Sequence, residues 1–269
     1  MSAPDFVKHA PAEEIRTEAA SLQWLAEASE VGGVDVVDLT SVDAEAGMLT
    51  TRRLTAASPD ADMAREFGRR LAHTHAAGAP HFGAPPPGVG PRARYAGVAL
   101  PMVEEGLTFG QFYARHRMAP YLRAAVDRGS ISTSGASVIE GLISRVERDE
   151  LTSQLPALCR ERKVAAARTH GDLWGGNVFY AHADGGARAF LIDPAAHGAH
   201  AETDLGALAL FGTPYLSEVI AGYESASRLA AGWQERVGLH QMHMLLVHAV
   251  LFGSGYGAQC VEVARRYVR

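Results

Sequence analysis

Apolar positions along the chain switch between a helical and a strand-like rhythm, and each switch marks an element. Residues 12–29, AEEIRTEAASLQWLAEAS, place Ile15, Ala19, Leu22 and Leu25 on one stripe at i, i+4, i+7 and i+10, which predicts an amphipathic helix. A short apolar strand around Phe6 and Val7 precedes it. After the Gly32-Gly33 turn, VDVVDL and AGMLTTRRL form two β-like runs with polar breaks, so the first part is expected to be a strand, a helix and two further strands. DADMAREFGRRLAHTHAA, residues 60–77, has helical period and stops at Gly78, Pro80 and APPPGVGPR, where prolines forbid its continuation. A loop or lobe boundary is expected there. From about Leu107 to Leu158 helical period returns, with Val138, Leu142 and Val146 four apart beside Ile139 and Ile143. Between Val164 and Pro194 the texture becomes short β-like runs, VAAARTH, NVFYAH and ARAFLIDP, separated by glycine-rich turns. Helical segments resume from Glu202 to the end, so a small hairpin is expected inside helices. No internal repeat is visible, and the Pro/Gly loop at 84–91 is the sole low-complexity stretch.

Composition narrows the class. A chain of 269 residues with 47% hydrophobic and 20% charged residues can bury a sizeable core, which excludes disordered, collagen-like and disulfide-scaffold proteins. Its net charge of −5 supplies no basic field, so no nucleic-acid partner is expected. The two cysteines, Cys159 and Cys260, stand far apart without zinc spacing, which fits a cytoplasmic setting and offers no metal framework. No stretch approaches the roughly 18 apolar residues that span a bilayer, and the start MSAPDFVKHAPAEE lacks a secretory signal pattern. No membrane partner is expected, and the assembly is expected to be a monomer or homodimer. Lys8 and Lys163 are the only lysines against 23 arginines, which gives Lys8 some prominence.

The densest cluster of chemically capable residues is THGDLWGGNVFY, with His170, Asp172, Trp174 and Asn177, followed by FLIDP with Asp193. Asp172 and Asn177 lie five positions apart across Gly175 and Gly176, so a tight loop can turn both side chains toward one point, while Asp193 ends an apolar strand. Such a group can hold Mg²⁺ through hard oxygen ligands and leave one carboxylate free to accept a hydroxyl proton.

HGDLWGGN, followed by IDPAAHGAHAETDLGALALFG, resembles the fructosamine (ketosamine) kinase family, a relative of the aminoglycoside and choline kinases. The tryptophan after HGDL is the most family-specific part. FVKHA with EEIRTEAASLQWL resembles the family's strand lysine and helix glutamate, LAHTHAAGAPHFG its LAxLH…FG stretch, and TFGQFYARHRMAP its WxxFyxxxRLxP element, with Phe109 where tryptophan is usual. GSGYGAQCVEVARRY resembles its C-terminal part, so the likeness covers almost the whole chain.

The resemblance implies an α+β, bilobal, protein-kinase-like fold, with a reduced N-lobe over 1–55 and a mainly helical C-lobe over 56–269. It implies ATP and Mg²⁺ as cofactors and a small-molecule or protein-bound ketosamine as substrate, phosphorylated on a sugar hydroxyl. Lys8 would meet the ATP phosphates and be oriented by Glu18; Asp172 would be the base, with His170 bracing its loop. Asn177 and Asp193 would bind Mg²⁺. Trp174 would wall the sugar site. Glu202 and Asp204, in the E-x-D-L segment, would be mainly C-lobe scaffold, with a substrate-side role also open to Glu202.

The family carries two strands and a glycine-rich phosphate loop before the lysine strand. Seven residues precede Lys8, whereas such a hairpin needs roughly 15 to 20. An upstream start, a truncated chain and a non-catalytic pseudokinase are the open explanations, and an aminoglycoside-like small-molecule kinase is the alternative enzyme. GSGYG at 253–257 lies between helical segments and is no substitute. The pairs His73/His75, His197/His200 and His240/His243 have no further ligands at zinc spacing, so no zinc is expected. Arg115, His116 and Arg117 are expected on a solvated helix face, with a structural ion pair open to Arg117.

Overall fold

A computed structural model describes residues 5–104 and 106–268. Strand β1 (Phe6–His9) leads into α1 (Ala12–Ser29), whose first turn carries Glu13 and Glu14 against the positive end of the helix dipole. The strands β2 (Asp35–Val36), β3 (Leu39–Asp43), β4 (Met48–Thr51) and β5 (Thr55–Ala56) follow. Asp60 then caps α2 (Ala61–Ala76) by accepting the Met63 N–H at 2.8 Å, a cap that contributes about 1 kcal/mol.

A hairpin that the sequence pattern did not disclose comes next, β6 (Arg92–Tyr95) and β7 (Val98–Pro101). Its turn is Ala96-Gly97, both at positive φ, and alternation of Ala93 and Tyr95 with Val98 and Leu100 is the signal that could have found it. The central helical stretch divides into α3 (Phe109–Phe112), a π-helical turn (Tyr113–Met118), α4 (Ala119–Asp127), α5 (Thr133–Glu147) and α6 (Ala157–Glu161). After β8 (Ala167–Thr169) the expected hairpin appears as β9 (Val178–Ala183) and β10 (Gly186–Leu191), followed by β11 (His197–Ala199). The chain finishes with α7 (Ala201–Leu210), α8 (Leu216–Ala226), α9 (Trp233–Phe252) and α10 (Ser254–Arg265).

Two sheets frame the site. The order β1-β4-β3 is antiparallel and pairs Lys8 with Leu49. The order β2-β10-β9-β5 places the hairpin at the centre, with β2 parallel to β10. Both edge strands of this second sheet come from before residue 57. Segments from before residue 57 and from 178–191 therefore share this sheet, and one buried cluster joins Leu22 and Leu25 of α1, Leu49 of β4, Leu71 of α2, Leu191 of β10 and Tyr223 of α8. A second cluster, including Phe112, Met118, Ile139, Leu142, Leu245 and Leu246, lies among α3 to α5 and α9 to α10.

Helices α2 and α8 touch backbone to backbone. A Cβ on Gly68 would fall 1.8 Å from the Val219 carbonyl oxygen, and one on Gly222 would fall 1.9 Å from that of Arg65. Further along α2, His75 meets Asp204.

The 115–117 segment departs from the solvated face expected of it. Arg115 is exposed and pairs with Glu147, whereas Arg117 is 1% exposed. Its guanidinium donates to the carbonyls of Pro101 (2.7 Å) and His116 (3.0 Å), approaches His197 Nε2 at 3.3 Å and covers the Phe112 ring. Among the described residues it has no carboxylate partner; the π-helical turn rotates it inward, a displacement that a 3.6-residue period does not contain.

Candidate active site

The hairpin register builds the site. Val178 pairs with Leu191 at the open end of β9–β10, so the residue before one and the second residue after the other, Asn177 and Asp193, emerge side by side. The Ile192 N–H donates to the Asn177 carbonyl at 3.2 Å and closes this end. Asp193 sits at φ 52°, a left-handed conformation that costs a non-glycine residue of order 1 kcal/mol. Asn177 Nδ2 donates to the Asp172 carbonyl (2.8 Å) and to Asp172 Oδ2 (3.1 Å), which orients the carboxylate and commits the amide's donor end.

His170 holds the loop through both ring nitrogens. Nε2–H donates to the Ile192 carbonyl at 2.9 Å, and Nδ1 accepts the Asp172 N–H at 3.3 Å. Burial lowers its pKa, so the neutral ring is favoured. Beneath the loop, Asp204 accepts the N–H groups of His170 (2.7 Å) and Gly171 (3.1 Å) and meets His75 Nε2 at 3.1 Å. The other nitrogen of His75 faces the Tyr223 hydroxyl at 2.9 Å. Burial works against the Asp204 charge, but His75 and the loop amides outweigh it and hold its pKa below the ordinary value.

Across the cleft, Lys8 Nζ donates to Glu18 Oε2 at 2.7 Å and Asp193 Oδ1 at 2.9 Å. Burial opposes the ammonium charge; the two carboxylates overcome that and raise its pKa. A cavity of about 280 Å³ opens here, with Leu22, Leu49, Phe179 and Ile192 on its apolar walls and Lys8, Glu18 and Asp193 at its polar end. Burial pushes Asp172 up to about 7, with the Asn177 hydrogen bond as the main opposing influence. A carboxylate titrating there is matched to accepting a proton near neutrality.

The fructosamine kinase family model matches residues 4–269. The chain belongs to the fructosamine kinase family. A ketosamine-3-kinase from Mus musculus is 30% identical over 159 residues, covering 58% of this chain and 45% of the mouse protein. The matches span less than half the length of the first curated relatives, 37% to 49%. A crystal structure assigned as a fructosamine-3-kinase from Thermobifida fusca is 36% identical, with TM-score 0.81, covering 98% of this chain and 85% of that one. The choline kinase LicA from Streptococcus pneumoniae, at 17% identity and TM-score 0.55 over 97% of this chain and 84% of its own, shares the fold alone. The fold of this fructosamine kinase family member is thus kinase-like, with mixed helices and strands.

Of the residues singled out from sequence, Lys8, Glu18 and Asp193 line the cleft, Asp172 and Asn177 sit together beside Asp193, and His170 is buried beneath the loop. Trp174, two residues beyond Asp172, is 41% exposed. Glu202 lies in a separate buried network: Arg236 donates to both its oxygens (2.9 and 2.7 Å), Ser153 to Oε1 (3.2 Å), and His240 Nε2 meets Oε2 at 3.2 Å. His200 forms a trio with Glu202 and His240, a grouping that pairwise histidine spacing could not reveal. Every nitrogen there is engaged, since His200 Nδ1 accepts the Glu202 N–H, His200 Nε2 faces the Gln154 carbonyl and His240 Nδ1 faces Thr203. The Arg236 guanidinium already supplies the cation that Glu202 needs, so the network reads as scaffold. His75 and Tyr223 were missed as loop supports because their roles depend on contacts over 129 and 148 residues.

Proposed function

We propose that the chain is an ATP-dependent kinase that transfers the γ-phosphoryl group to a sugar hydroxyl of a ketosamine, an Amadori-type adduct on an amine or a protein lysine. The observation that supports this reading most directly is the grouping of Asp172, held by Asn177 at 3.1 Å, with Asp193 and the Lys8–Glu18 pair. The segment up to residue 55 then serves the nucleotide side and the remainder the catalytic and acceptor side.

Asp172 accepts the proton of the acceptor hydroxyl as that oxygen bonds to the γ-phosphorus and the bond to the ADP oxygen breaks; the proton then leaves to solvent. His170 keeps the carboxylate in place through its two loop contacts. Lys8, fixed by Glu18, sets a positive charge against the nucleotide phosphates. The donor set fits Mg²⁺: it is all oxygen, Asp193 is half-exposed, and the donor end of the Asn177 amide is already committed, which leaves its oxygen. Asn177 and Asp193 would hold the ion, which would neutralise charge on the phosphates. Trp174 walls the sugar, and Glu202 belongs to the scaffold.

Cys159 and Cys260 are unpaired and buried, and burial pushes each thiol up to about 12, which suits inert cysteines in the cytoplasm. No helix among the described residues is long and apolar enough to cross a membrane.

The test is phosphoryl transfer from ATP with Mg²⁺ to fructosyl-lysine, ribulosyl-lysine and an aminoglycoside. Transfer to the ketosamines, lowered roughly 10²- to 10⁴-fold in Asp172→Asn without loss of folding, is the expected result. Transfer to the aminoglycoside alone, or to nothing, would overturn it.

A further inference from the structure

Trp174 begins a surface stripe of aromatic rings that leads away from the catalytic loop. Its ring meets Phe211 edge-on at 6.3 Å, and Phe211 meets His248 at 4.9 Å and Tyr256 at 6.4 Å. His248 contacts Tyr256 at 5.0 Å and Phe252 at 5.2 Å, and Phe252 contacts Tyr256 at 6.1 Å. Five rings from the catalytic loop, the end of α7, and the α9–α10 junction thus make one continuous surface.

This surface is not core. Trp174, Phe211 and Phe252 are 41%, 36% and 67% exposed, and a Cβ built on Gly212, Gly253 or Gly255 would meet nothing within 4 Å. Contiguous exposed apolar surface of this kind marks a binding site more often than chance. Burial lowers the His248 pKa, which favours the neutral imidazole. The stripe therefore carries no formal charge, and its rings offer apolar contact area.

Continuity with the catalytic loop identifies the occupant. Trp174 lies two residues beyond Asp172, and its ring is held against Gly176, where a Cβ would come within 2.2 Å of it. An acceptor hydroxyl at Asp172 places the sugar at Trp174, and a ketosamine carries its amine substituent at one end of that sugar. We propose that the stripe from Trp174 through Phe211 and His248 to Phe252 and Tyr256 is the subsite for the substituent on the ketosamine nitrogen, and that it selects aromatic or long aliphatic substituents. This rests on the ketosamine reading above. Ring-on-ring contact with Phe211 and Phe252 supplies the preference, because burying an added phenyl group against them removes apolar area from water.

The test is calorimetric titration of the full chain with N-benzyl- and N-methyl-fructosamine, alongside phosphoryl transfer to each. The N-benzyl compound should bind about tenfold tighter. That ratio should fall below about twofold in Phe211→Ala and Phe252→Ala, and stay in Val31→Ser, an exposed apolar residue in the turn after α1. A ratio near one in the unmodified chain, a ratio untouched by both alanine variants, or binding of neither compound would overturn the subsite. So would a halving of molar mass by light scattering in Phe252→Ala with both ligands weakened alike, which would make the stripe a contact between two copies. If the ratio behaves as expected but neither compound is phosphorylated, the subsite stands and the kinase reading falls.

Discussion

Asp204 accepts the backbone N–H of His170 at 2.7 Å from a position 34 residues further along the chain. With the Gly171 N–H on its other oxygen and His75 alongside, one buried carboxylate ties the 170–177 loop to α2 and α7. Neither Asp204 nor His75 lines the cleft. Asp204 acts through the loop backbone, and His75 acts through Asp204.

Asp204→Ala should therefore cost both stability and catalysis. Removing one partner from a buried charged network typically costs about 3–5 kcal/mol, because the remaining polar groups stay buried without it. Urea unfolding should show that loss, and kcat should fall more than the KM for ATP changes in the fraction still folded.

Gly171→Ala should fail for steric reasons. Gly171 sits at φ 81°, and a Cβ there would fall 2.1 Å from the Ala195 carbonyl oxygen and 2.9 Å from His197 Nδ1. Backbone cannot yield as a flexible side chain can, so a loss of at least ~2 kcal/mol is expected, read from the thermal midpoint. A variant with unchanged melting would show that the loop can be rebuilt.

Lys8→Met should leave Glu18 and Asp193 without their shared ammonium. The expected outcome is weaker nucleotide binding and a kcat lower by about 10²-fold or more, since phosphoryl transfer relies on positioned positive charge. Calorimetry with ADP and steady-state kinetics would separate the two effects.

Glu202 makes stability depend on acid. Burial alone would raise its pKa, but the His240 hydrogen bond and the Arg236 pair reverse that and lower it to about 2. A depressed carboxylate stabilises the fold above its unfolded value near 4.5, and the contribution disappears as pH falls through about 2. The shift corresponds to roughly 3 kcal/mol at neutral pH. The stability gap between the natural chain and Glu202→Gln should be widest above pH 5 and should close steadily below about 4.5, as measured by denaturation at fixed pH.

How much was legible from residues alone follows from the range of the interactions involved. The α1 stripe of Ile15, Leu22 and Leu25, the helical period of residues 60–77 and the β9–β10 hairpin are local patterns, and all three stand in the structure. The β6–β7 hairpin escaped because its alternation is only four residues long on each side and follows a proline-rich loop. Arg117 escaped because a π-helical turn changes which residues face inward, and no fixed period describes that change.

The sequence by itself determined the chemistry of the loop: Asp172 and Asn177 five apart across two glycines, a histidine before them, and Asp193 at the end of an apolar strand. These residues need only a hairpin to meet, and a hairpin is a local structure. Tertiary structure alone decided that Lys8 would reach Asp193 across 185 residues, and that Asp204 and His75 would carry the loop from below. It also decided that Glu202 would be buried with Arg236, and that Phe211, His248, Phe252 and Tyr256 would continue the surface begun by Trp174. Such contacts arise from how helices pack over distances in sequence at which periodicity carries no information, because the free energy that sets them belongs to the buried interfaces between elements.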